Sequence, residues 1–392
     1  MESIATRWRD LSGAGDWKDL LDPLDIDLRP YIIHYGERAG VALVTEPKSK
    51  NYGLPRYAKG HLFSKIGLEN GNPYKYVVKK YLYATIQGND YPTGKSYVLG
   101  MVSVTTDEGA RVLGRKDVLI SWRGTQLVHE VDVDKDINLA SASDILGEEN
   151  DPMVHHGWLS YYTDTDDQSP HNQLTSARDQ ALAALKEVLD EYKQGEEISI
   201  TITGHSMGAA LATLNATDIV HNGHNVLTDQ PDKVIPVTAF AFASPRLGDK
   251  GFEKVFSGLK NLHVLRVTNE EDVVPKTPLF SLKPLKEYFH VGIKLGIDTR
   301  KSPYLKVLTD EIQRLASWHN LEVYLHGVAG TQGTESNDFK LEVKRDLSLV
   351  NKASDYLKDE YNVVGGWWTE KNKAMIQMDD GSWVLDDREF LE

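Results

Sequence analysis

The sequence predicts an α/β protein whose central sheet is mostly parallel and flanked by helices. Short apolar runs typical of buried strands alternate along the chain with longer segments of helical character, which is the pattern of such sheets. The run at 198–202 passes into a helix-forming segment from Gly208 onward, through a turn rich in glycine. We find no internal repeat and no linker in the 392 residues, so we expect a single domain over residues 1–392.

The predicted core extends over about residues 76–330. Before it, an N-terminal extension of short helices and loops is expected at 1–75. Apolar runs predict the core strands, at 81–86, 97–104, 117–122, 198–202, 236–243 and 262–267. Helices are predicted from apolar spacing at 174–192 and from small and straight-chain residues at 208–220. The C-terminal extension, 331–392, is expected to form one helix at about 339–357 and then an extended segment rich in tryptophan.

Composition excludes several classes of partner and site. Lysine and arginine number 44 against 58 aspartates and glutamates, and the resulting net charge of −14 argues against a nucleic-acid partner. There is no cysteine, which excludes disulfides and zinc–thiolate sites. The first residues lack the apolar segment of a secretory signal, and the longest strongly apolar run, 234–245, is too short to span a bilayer. We therefore expect a cytoplasmic protein with no transmembrane segment.

The turn between the strand at 198–202 and the helix at 208–220 reads Gly-His-Ser-Met-Gly. A serine with glycine two residues before and two residues after it is the nucleophile-elbow pattern, in which a tight turn leaves no room for neighbouring side chains. Ser206 is therefore the predicted nucleophile, and Gly204 and Gly208 are the elbow glycines. The alternative interpretation is an ordinary glycine-rich turn between a strand and a helix.

A serine hydroxyl is a weak nucleophile unless a base takes its proton, and in this topology an acid and then a histidine should follow it along the chain. Asp272 lies in the loop after the predicted strand at 262–267 and directly precedes Val-Val-Pro, so it is positioned to turn inward. It is preferred as the acid over Glu270 and Glu271, which we assign to a solvated loop.

Three histidines lie downstream and compete for the role of base. His319 and His326 are seven residues apart and would share one face of a helix, so spacing does not choose between them. His319 is preferred because it lies where a loop enters the predicted helix, a position that catalytic groups favour. His326 is the alternative base. His290, in a predicted strand, is expected to have a structural role.

Acyl transfer also requires hydrogen-bond donors for the negatively charged oxygen that forms during attack. The backbone N–H of Met207, directly after the nucleophile, is the first predicted donor. The second is the backbone N–H of Thr125, which follows the predicted strand at 117–122 and a turn at Gly124.

Several motifs together resemble one family. The class 3 lipases are matched in order and approximate spacing by WRGT at 122–125, HGW at 156–158, GHSMGAALATL at 204–214, SPRLG at 244–248 and NEEDVVP at 269–275. The plant phospholipase A1 class II group is resembled by WKDLLDPLD at 17–25, IHYGE at 33–37, SPYLK at 302–306, HNLEVYLH at 319–326 and KRDLSLVNK at 344–352. The resemblance covers nearly the whole chain.

This resemblance implies an α/β-hydrolase core with Ser206 as nucleophile, Asp272 as acid and His319 as base. It further implies release of the sn-1 fatty acid from a glycerolipid or phospholipid, without a metal or other cofactor. It also implies transient contact with a lipid interface and a cytosolic location.

One segment departs from the family. Class 3 lipases carry a lid after the position of Thr125, but here residues 126–151 are acidic and give only a weak apolar stripe, less than a bilayer-docking lid would bury. This motivates the alternative of a soluble carboxylesterase or acyltransferase with the same triad. A third alternative, of another class, is a catalytically idle lipase-like signalling scaffold.

Overall fold

A seven-stranded sheet forms the centre of the chain in this computed structural model, which describes residues 2–40, 54–85, 96–125, 137–191, 195–227, 230–368 and 375–385. The strands, in chain order, are β1 (Tyr76–Thr85), β2 (Ser96–Thr105), β3 (Lys116–Trp122), β4 (Leu139–Ser141), β5 (Met153–His155), β6 (Ile198–His205), β7 (Val226–Leu227), β8 (Gln230–Val234), β9 (Val237–Phe242), β10 (Leu262–Asn269), β11 (Phe280–Leu282), β12 (Leu285–Glu287), β13 (Ile293–Ile297), β14 (Met375–Gln377) and β15 (Trp383–Leu385).

The central sheet has the strand order β1-β2-β3-β6-β9-β10-β13. The five strands from β3 to β13 are parallel, and β2 pairs antiparallel with both β1 and β3. The predicted fold class is thereby confirmed. Each of the six predicted core strands is found, whereas β13 was not predicted. Because parallel strands end at one edge of a sheet, the loops after β3, β6, β9 and β10 emerge on the same side.

Helices cover both faces of the sheet. They are α1 (Glu2–Leu11), α2 (Leu28–Ala39), α3 (Leu62–Lys65), α4 (Asp107–Leu113), α5 (Ser143–Leu146), α6 (His156–Thr163), α7 (Ala177–Asp190), α8 (Met207–His221), α9 (Lys250–Gly258), α10 (Glu311–Trp318) and α11 (Leu321–Gly330). Short 3₁₀ turns lie at Lys59–His61, Val274–Lys276, Thr299–Lys301, Leu347–Asn351 and Asp359–Tyr361. Within the described residues, none of these helices is long and apolar enough to cross a membrane.

The alternation of side chains places α2 and α8 on opposite faces. On one face, the ring of Tyr35 in α2 stacks on Phe240 of β9 with 4.8 Å between ring centroids, and the Thr203 hydroxyl of β6 donates to the Tyr35 carbonyl. On the other face, Trp122 of β3 donates to the side chain of Asn215 in α8. Trp122 is in register with the residue next to Thr203, so the two side chains point in opposite directions. The two helices therefore enclose the sheet between them.

The predicted helix at about 339–357 is wrong. The described residues there form an extended stretch followed by the short 3₁₀ turn Leu347–Asn351. Phe339 bridges to Thr331, and the buried guanidinium of Arg345 pairs with Glu37 of α2 and Glu322 of α11. These tertiary contacts hold the stretch along α2 and α11, and they override the helix-forming composition.

Of the acidic segment at 126–151, where the resemblance places a lid, residues 126–136 lie outside the described residues. The remainder, from residue 137, forms β4 and α5 and leads into β5. β4 and β5 pair antiparallel, with the residues from 137 to 139 close to the hairpin formed by β11 and β12.

Candidate active site

The glycine-rich turn places Ser206 between the end of β6 and the start of α8. Its backbone has φ of 59° and ψ of −127°, which is a strained conformation for a residue with a side chain. A Cβ on Gly204 would overlap the carbonyl of Gly208, and a Cβ on Gly208 would overlap the backbone of Trp122. Both positions therefore require glycine, and the serine is raised at the edge where the parallel strands end.

The structure brings the three predicted side chains of the triad into a hydrogen-bonded chain. His319 Nε2 lies 2.9 Å from Ser206 Oγ, and His319 Nδ1 lies 2.8 Å from Asp272 Oδ2. Asp272 is buried in the loop after β10. His319 lies between α10 and α11, where Asn320 caps the second helix by accepting from the Val323 N–H. The geometry allows the imidazole to take a proton from Ser206 while the carboxylate orients the ring.

The other predicted candidates lie elsewhere. His326, within α11, is buried with its Nε2 2.7 Å from Ser302 Oγ, and burial lowers its pKa to about 3. His290 contacts the Pro275 carbonyl, and burial followed by the charge of Arg266 lowers its pKa to about 4. Both rings are therefore neutral at neutral pH, and both are engaged away from Ser206.

The two glutamates that precede Asp272 do not point to the histidine. Glu271 pairs with Arg300 at 2.5 Å on the surface. Glu270 is exposed, and its backbone N–H donates to the Ile297 carbonyl of β13. Both contacts belong to the loop surface, which agrees with the sequence interpretation of these two residues.

The Asp272 carboxylate is held by donors that the sequence interpretation did not include. The hydroxyl of Tyr324 in α11 donates to Oδ2 at 2.6 Å, and the Val274 N–H donates to Oδ1 at 3.0 Å. Burial and the neighbouring carboxylate raise the pKa of Tyr324 well above its ordinary value, so the phenol remains a donor. The signal available in the sequence was the tyrosine in the helix that begins after His319.

His205, next to the serine, contacts the backbone of His319. Its Nε2 lies 2.9 Å from the His319 carbonyl. Burial, and then the proximity of His319, lower the pKa of His205 to about 3. The neutral ring can therefore donate Nε2–H to that carbonyl. This contact links the elbow to the segment that carries the base.

The two predicted donors for the negatively charged oxygen flank the elbow. Met207 is the first residue of α8 and is buried beside Ser206. Thr125 follows β3, and the preceding Gly124 packs so closely that a Cβ there would lie 2.7 Å from the His205 carbonyl. The loop that carries Thr125 thus passes directly beside the elbow. The assignment of both backbone N–H groups remains a prediction.

A cleft of about 540 Å³ opens beside Ser206. Its walls are almost entirely apolar, with contributions from Ile137, Trp158 and Met207 and from residues of the β11–β12 hairpin. Such a cleft can hold a hydrocarbon chain. A larger cavity of about 990 Å³ lies between α2 and the C-terminal extension, but it does not contain Ser206.

A family model and two relatives of high identity indicate one family. Residues 119–282 match the model of the family described as Lipase (class 3). Phospholipase A1-IIgamma of Arabidopsis thaliana is 48% identical in an alignment that covers 99% of this chain and 94% of the relative. Phospholipase A1-II 1 of Oryza sativa subsp. indica is 46% identical, with 99% and 97% covered. Among solved structures, the Lip2 lipase of Yarrowia lipolytica is 19% identical, with a TM-score of 0.46 over 71% of this chain and 81% of that chain.

Proposed function

The chain belongs to the phospholipase A1-II group of class 3 lipases, and we propose that it releases the sn-1 fatty acid from glycerolipids through Ser206, His319 and Asp272. Membership in this group makes it a serine ester hydrolase that acts on lipids. One observation carries the finer proposal: Ser206, which is joined by hydrogen bonds through His319 to Asp272, lines a cleft with apolar walls.

The proposed reaction begins when His319 Nε2 takes the proton of Ser206 Oγ, which attacks the ester carbonyl carbon. Asp272 stabilises the imidazolium that forms. The backbone N–H groups of Met207 and Thr125 donate to the negatively charged oxygen of the tetrahedral intermediate. His319 then protonates the leaving alcohol, and an acyl-enzyme remains. Water attacks the acyl-enzyme with His319 as base, which releases the fatty acid and restores the serine.

The apolar cleft supports an acyl chain as the group that is recognised. Ile137, Trp158 and Leu279 offer no charge to a substrate, so a hydrocarbon chain can bind there by displacing water. Binding this chain next to the serine would place the ester carbonyl within reach of Ser206 Oγ. The polar head group would then remain at the mouth of the cleft.

The proposal includes the setting in which the enzyme works. We place its action in the cytoplasm and its substrate at a lipid surface that it contacts transiently. The absence of cysteine is compatible with a reducing compartment.

The test uses phosphatidylcholine with different acyl chains at sn-1 and sn-2, incubated with the wild type, Ser206→Ala and Ser302→Ala. Ser302 is the matched control because its hydroxyl also lies 2.7 Å from a histidine nitrogen, that of His326, but outside the cleft. We expect the wild type and Ser302→Ala to release the sn-1 chain, and Ser206→Ala to lose at least about a thousandfold of this activity.

Other outcomes would reject the proposal in distinct ways. Release of the sn-2 chain would overturn the regiochemistry. Turnover of short soluble esters without turnover of phosphatidylcholine would favour a soluble carboxylesterase. A folded wild type that hydrolyses no ester would favour the signalling scaffold.

A further inference from the structure

We propose that the hairpin of β11 and β12, residues 279–287, is the surface on which the protein docks to a phospholipid bilayer. The inference rests on the proposed function, because it names the surface through which the Ser206 cleft meets its lipid. It assigns docking to an element that follows the Asp272 loop, separate from the lid position after Thr125.

The hairpin presents an outer face on which three of four side chains are apolar, the fourth being Glu287. Its strands pair antiparallel, with Leu282 opposite Leu285 and Phe280 opposite Glu287. Because side chains alternate between the two faces of a strand, these four residues share one face and Ser281 lies on the other. Leu285 is 79% exposed, Leu282 68% and Phe280 51%. A two-stranded hairpin in water normally carries polar residues on its exposed face. The three exposed apolar side chains therefore indicate a surface that binds another apolar surface.

The inner face anchors the hairpin to the body of the protein. Ser281 is fully buried, and its Oγ accepts a hydrogen bond of 3.0 Å from the Leu139 N–H. Lys286 places its ammonium 2.9 Å from Asp249, which caps α9. With these polar groups satisfied on the inner side, the apolar side chains are held in a fixed outward orientation.

The apolar face is continuous with the active-site cleft. Leu279, Phe280 and Leu282 line the same cavity as Ser206, and Leu279 is itself 56% exposed. Leu285 lies beyond the cleft on the outer side of the hairpin. An acyl chain leaving a bilayer seated on this face would therefore pass along apolar side chains to the serine without crossing water.

The local charge favours a phospholipid surface. Between residues 273 and 287 the sequence contains three lysines, Lys276, Lys283 and Lys286, and one acid, Glu287, although the whole chain has a net charge of −14. Lys286 pairs with Asp249, so Lys276 and Lys283 supply the positive charge beside the apolar face. Lysines beside an apolar patch match the phosphate groups that border the hydrocarbon of a bilayer. The occupant that fits both features is a phospholipid bilayer.

The experiment measures vesicle binding separately from hydrolysis. Ser206→Ala protein is floated with vesicles of phosphatidylcholine, or of phosphatidylcholine mixed with phosphatidylglycerol, with or without the additional change Leu285→Ser. We expect Leu285→Ser to weaken binding at least about tenfold, since a leucine side chain no longer enters hydrocarbon. We expect stronger binding to the vesicles that contain phosphatidylglycerol.

The matched control is Ile26→Ser, in the same Ser206→Ala background. Ile26 is 54% exposed and lies between Asp25 and Asp27, both of which pair with Arg7 of α1. α1 borders the opposite edge of the sheet, since its Arg9 pairs with Glu197 directly before β6 begins. This change removes an exposed aliphatic side chain far from the cleft, so vesicle binding should remain at its original strength.

The outcomes separate docking from catalysis. With Ser206 intact, Leu285→Ser should retain hydrolysis of a short soluble ester and lose hydrolysis of vesicles. Unchanged vesicle binding, equal losses on both substrates, or a dimer that Leu285→Ser dissociates would each overturn the docking surface. A wild type that binds vesicles through Leu285 and hydrolyses no lipid would retain the docking surface and reject the proposed function.

Discussion

The hydroxyl of Tyr324 lies 2.6 Å from Oδ2 of Asp272, the same carboxylate oxygen that lies 2.8 Å from His319 Nδ1. Tyr324 also accepts a hydrogen bond of 3.1 Å from the Asn269 N–H. The phenol therefore joins the end of β10 to the carboxylate in the loop that follows this strand. This arrangement fixes the carboxylate against the imidazole and makes Tyr324 a positioning residue for the proposed triad.

The change Tyr324→Phe removes this hydrogen bond and keeps the ring. We expect kcat to fall about tenfold with KM little changed, because the carboxylate loses a group that orients it while the acyl cleft is untouched. We also expect a loss of about 1–3 kcal/mol in the free energy of unfolding, since a buried acceptor and a buried N–H lose their partner. Steady-state kinetics and urea unfolding measure the two effects.

The control for this change is Tyr162→Phe. Tyr162 is also buried, donates to the Asp218 carboxylate at 2.6 Å and accepts from the Asn215 side chain at 2.9 Å. Asp218 lies toward the far end of α8 from Ser206. We expect Tyr162→Phe to lose a comparable amount of unfolding free energy and to leave kcat unchanged. Equal kinetic effects of the two changes would reject a positioning role for Tyr324.

Local signals explain which parts of the site could be predicted from the sequence. The elbow is recognisable because a strand, two glycines and a helix-forming segment all lie within residues 198–214. His319 and His326 could not be separated by spacing, because the difference depends on where α10 ends and α11 begins. Tyr324 was missed because its contact with Asp272 exists only once α11 has packed beside the loop after β10.

The same distinction applies to the fold. The core strands are predicted to within a few residues of their ends because their apolar runs are local features. The expected helix at 339–357 failed because the ion pairs of Arg345 with Glu37 and Glu322 depend on residues distant in the sequence. The apolar hairpin at 279–287 was missed because its exposure is a property of the folded surface.

Replacing Gly204 by alanine should damage both stability and activity. The new Cβ would overlap the backbone carbonyl of Gly208, so the elbow would have to open. We expect a loss of about 1–3 kcal/mol or more in the free energy of unfolding, together with loss of esterase activity in the protein that remains folded. Thermal unfolding and titration of active serines with a fluorophosphonate probe measure the two effects.

Gly258→Ala is the matched glycine control. Gly258 ends α9, and a Cβ there would have open space around it. We expect this change to be neutral or to stabilise the protein by up to about 1 kcal/mol, because alanine restricts the unfolded chain and favours helix. If both alanine variants behaved alike, close packing at the elbow would not be the reason for Gly204.

The choice between the two histidines is tested by His319→Asn and His326→Asn. Only His319 contacts both Ser206 and Asp272, whereas His326 is paired with Ser302. We expect His319→Asn to lose at least about a thousandfold in kcat and His326→Asn to retain most of it. Labelling of Ser206 by the fluorophosphonate probe should follow the same order. Loss of activity in both variants, with the fold of each intact, would contradict the assignment of His319 as the only base.

Stability should fall on acidification partly because His326 is buried as a neutral ring. Burial lowers its pKa to about 3 in the folded protein, whereas histidine in the unfolded chain titrates near its ordinary value of about 6.5. Between these two values the unfolded chain binds more protons, so the stabilising contribution is fully present above about pH 6.5 and declines as the pH falls toward 3.

The variant His326→Asn should therefore reduce the dependence of stability on pH. We expect the slope of unfolding free energy against pH, measured by urea unfolding between about pH 6 and pH 4.5, to decrease by up to about 1.4 kcal/mol per pH unit. His290→Asn should act similarly over a narrower range that ends near pH 4, since burial lowers the pKa of His290 to about 4. Above about pH 7 each variant should differ from the wild type by a constant amount. An unchanged slope in both variants would show that these rings accept protons without unfolding the protein.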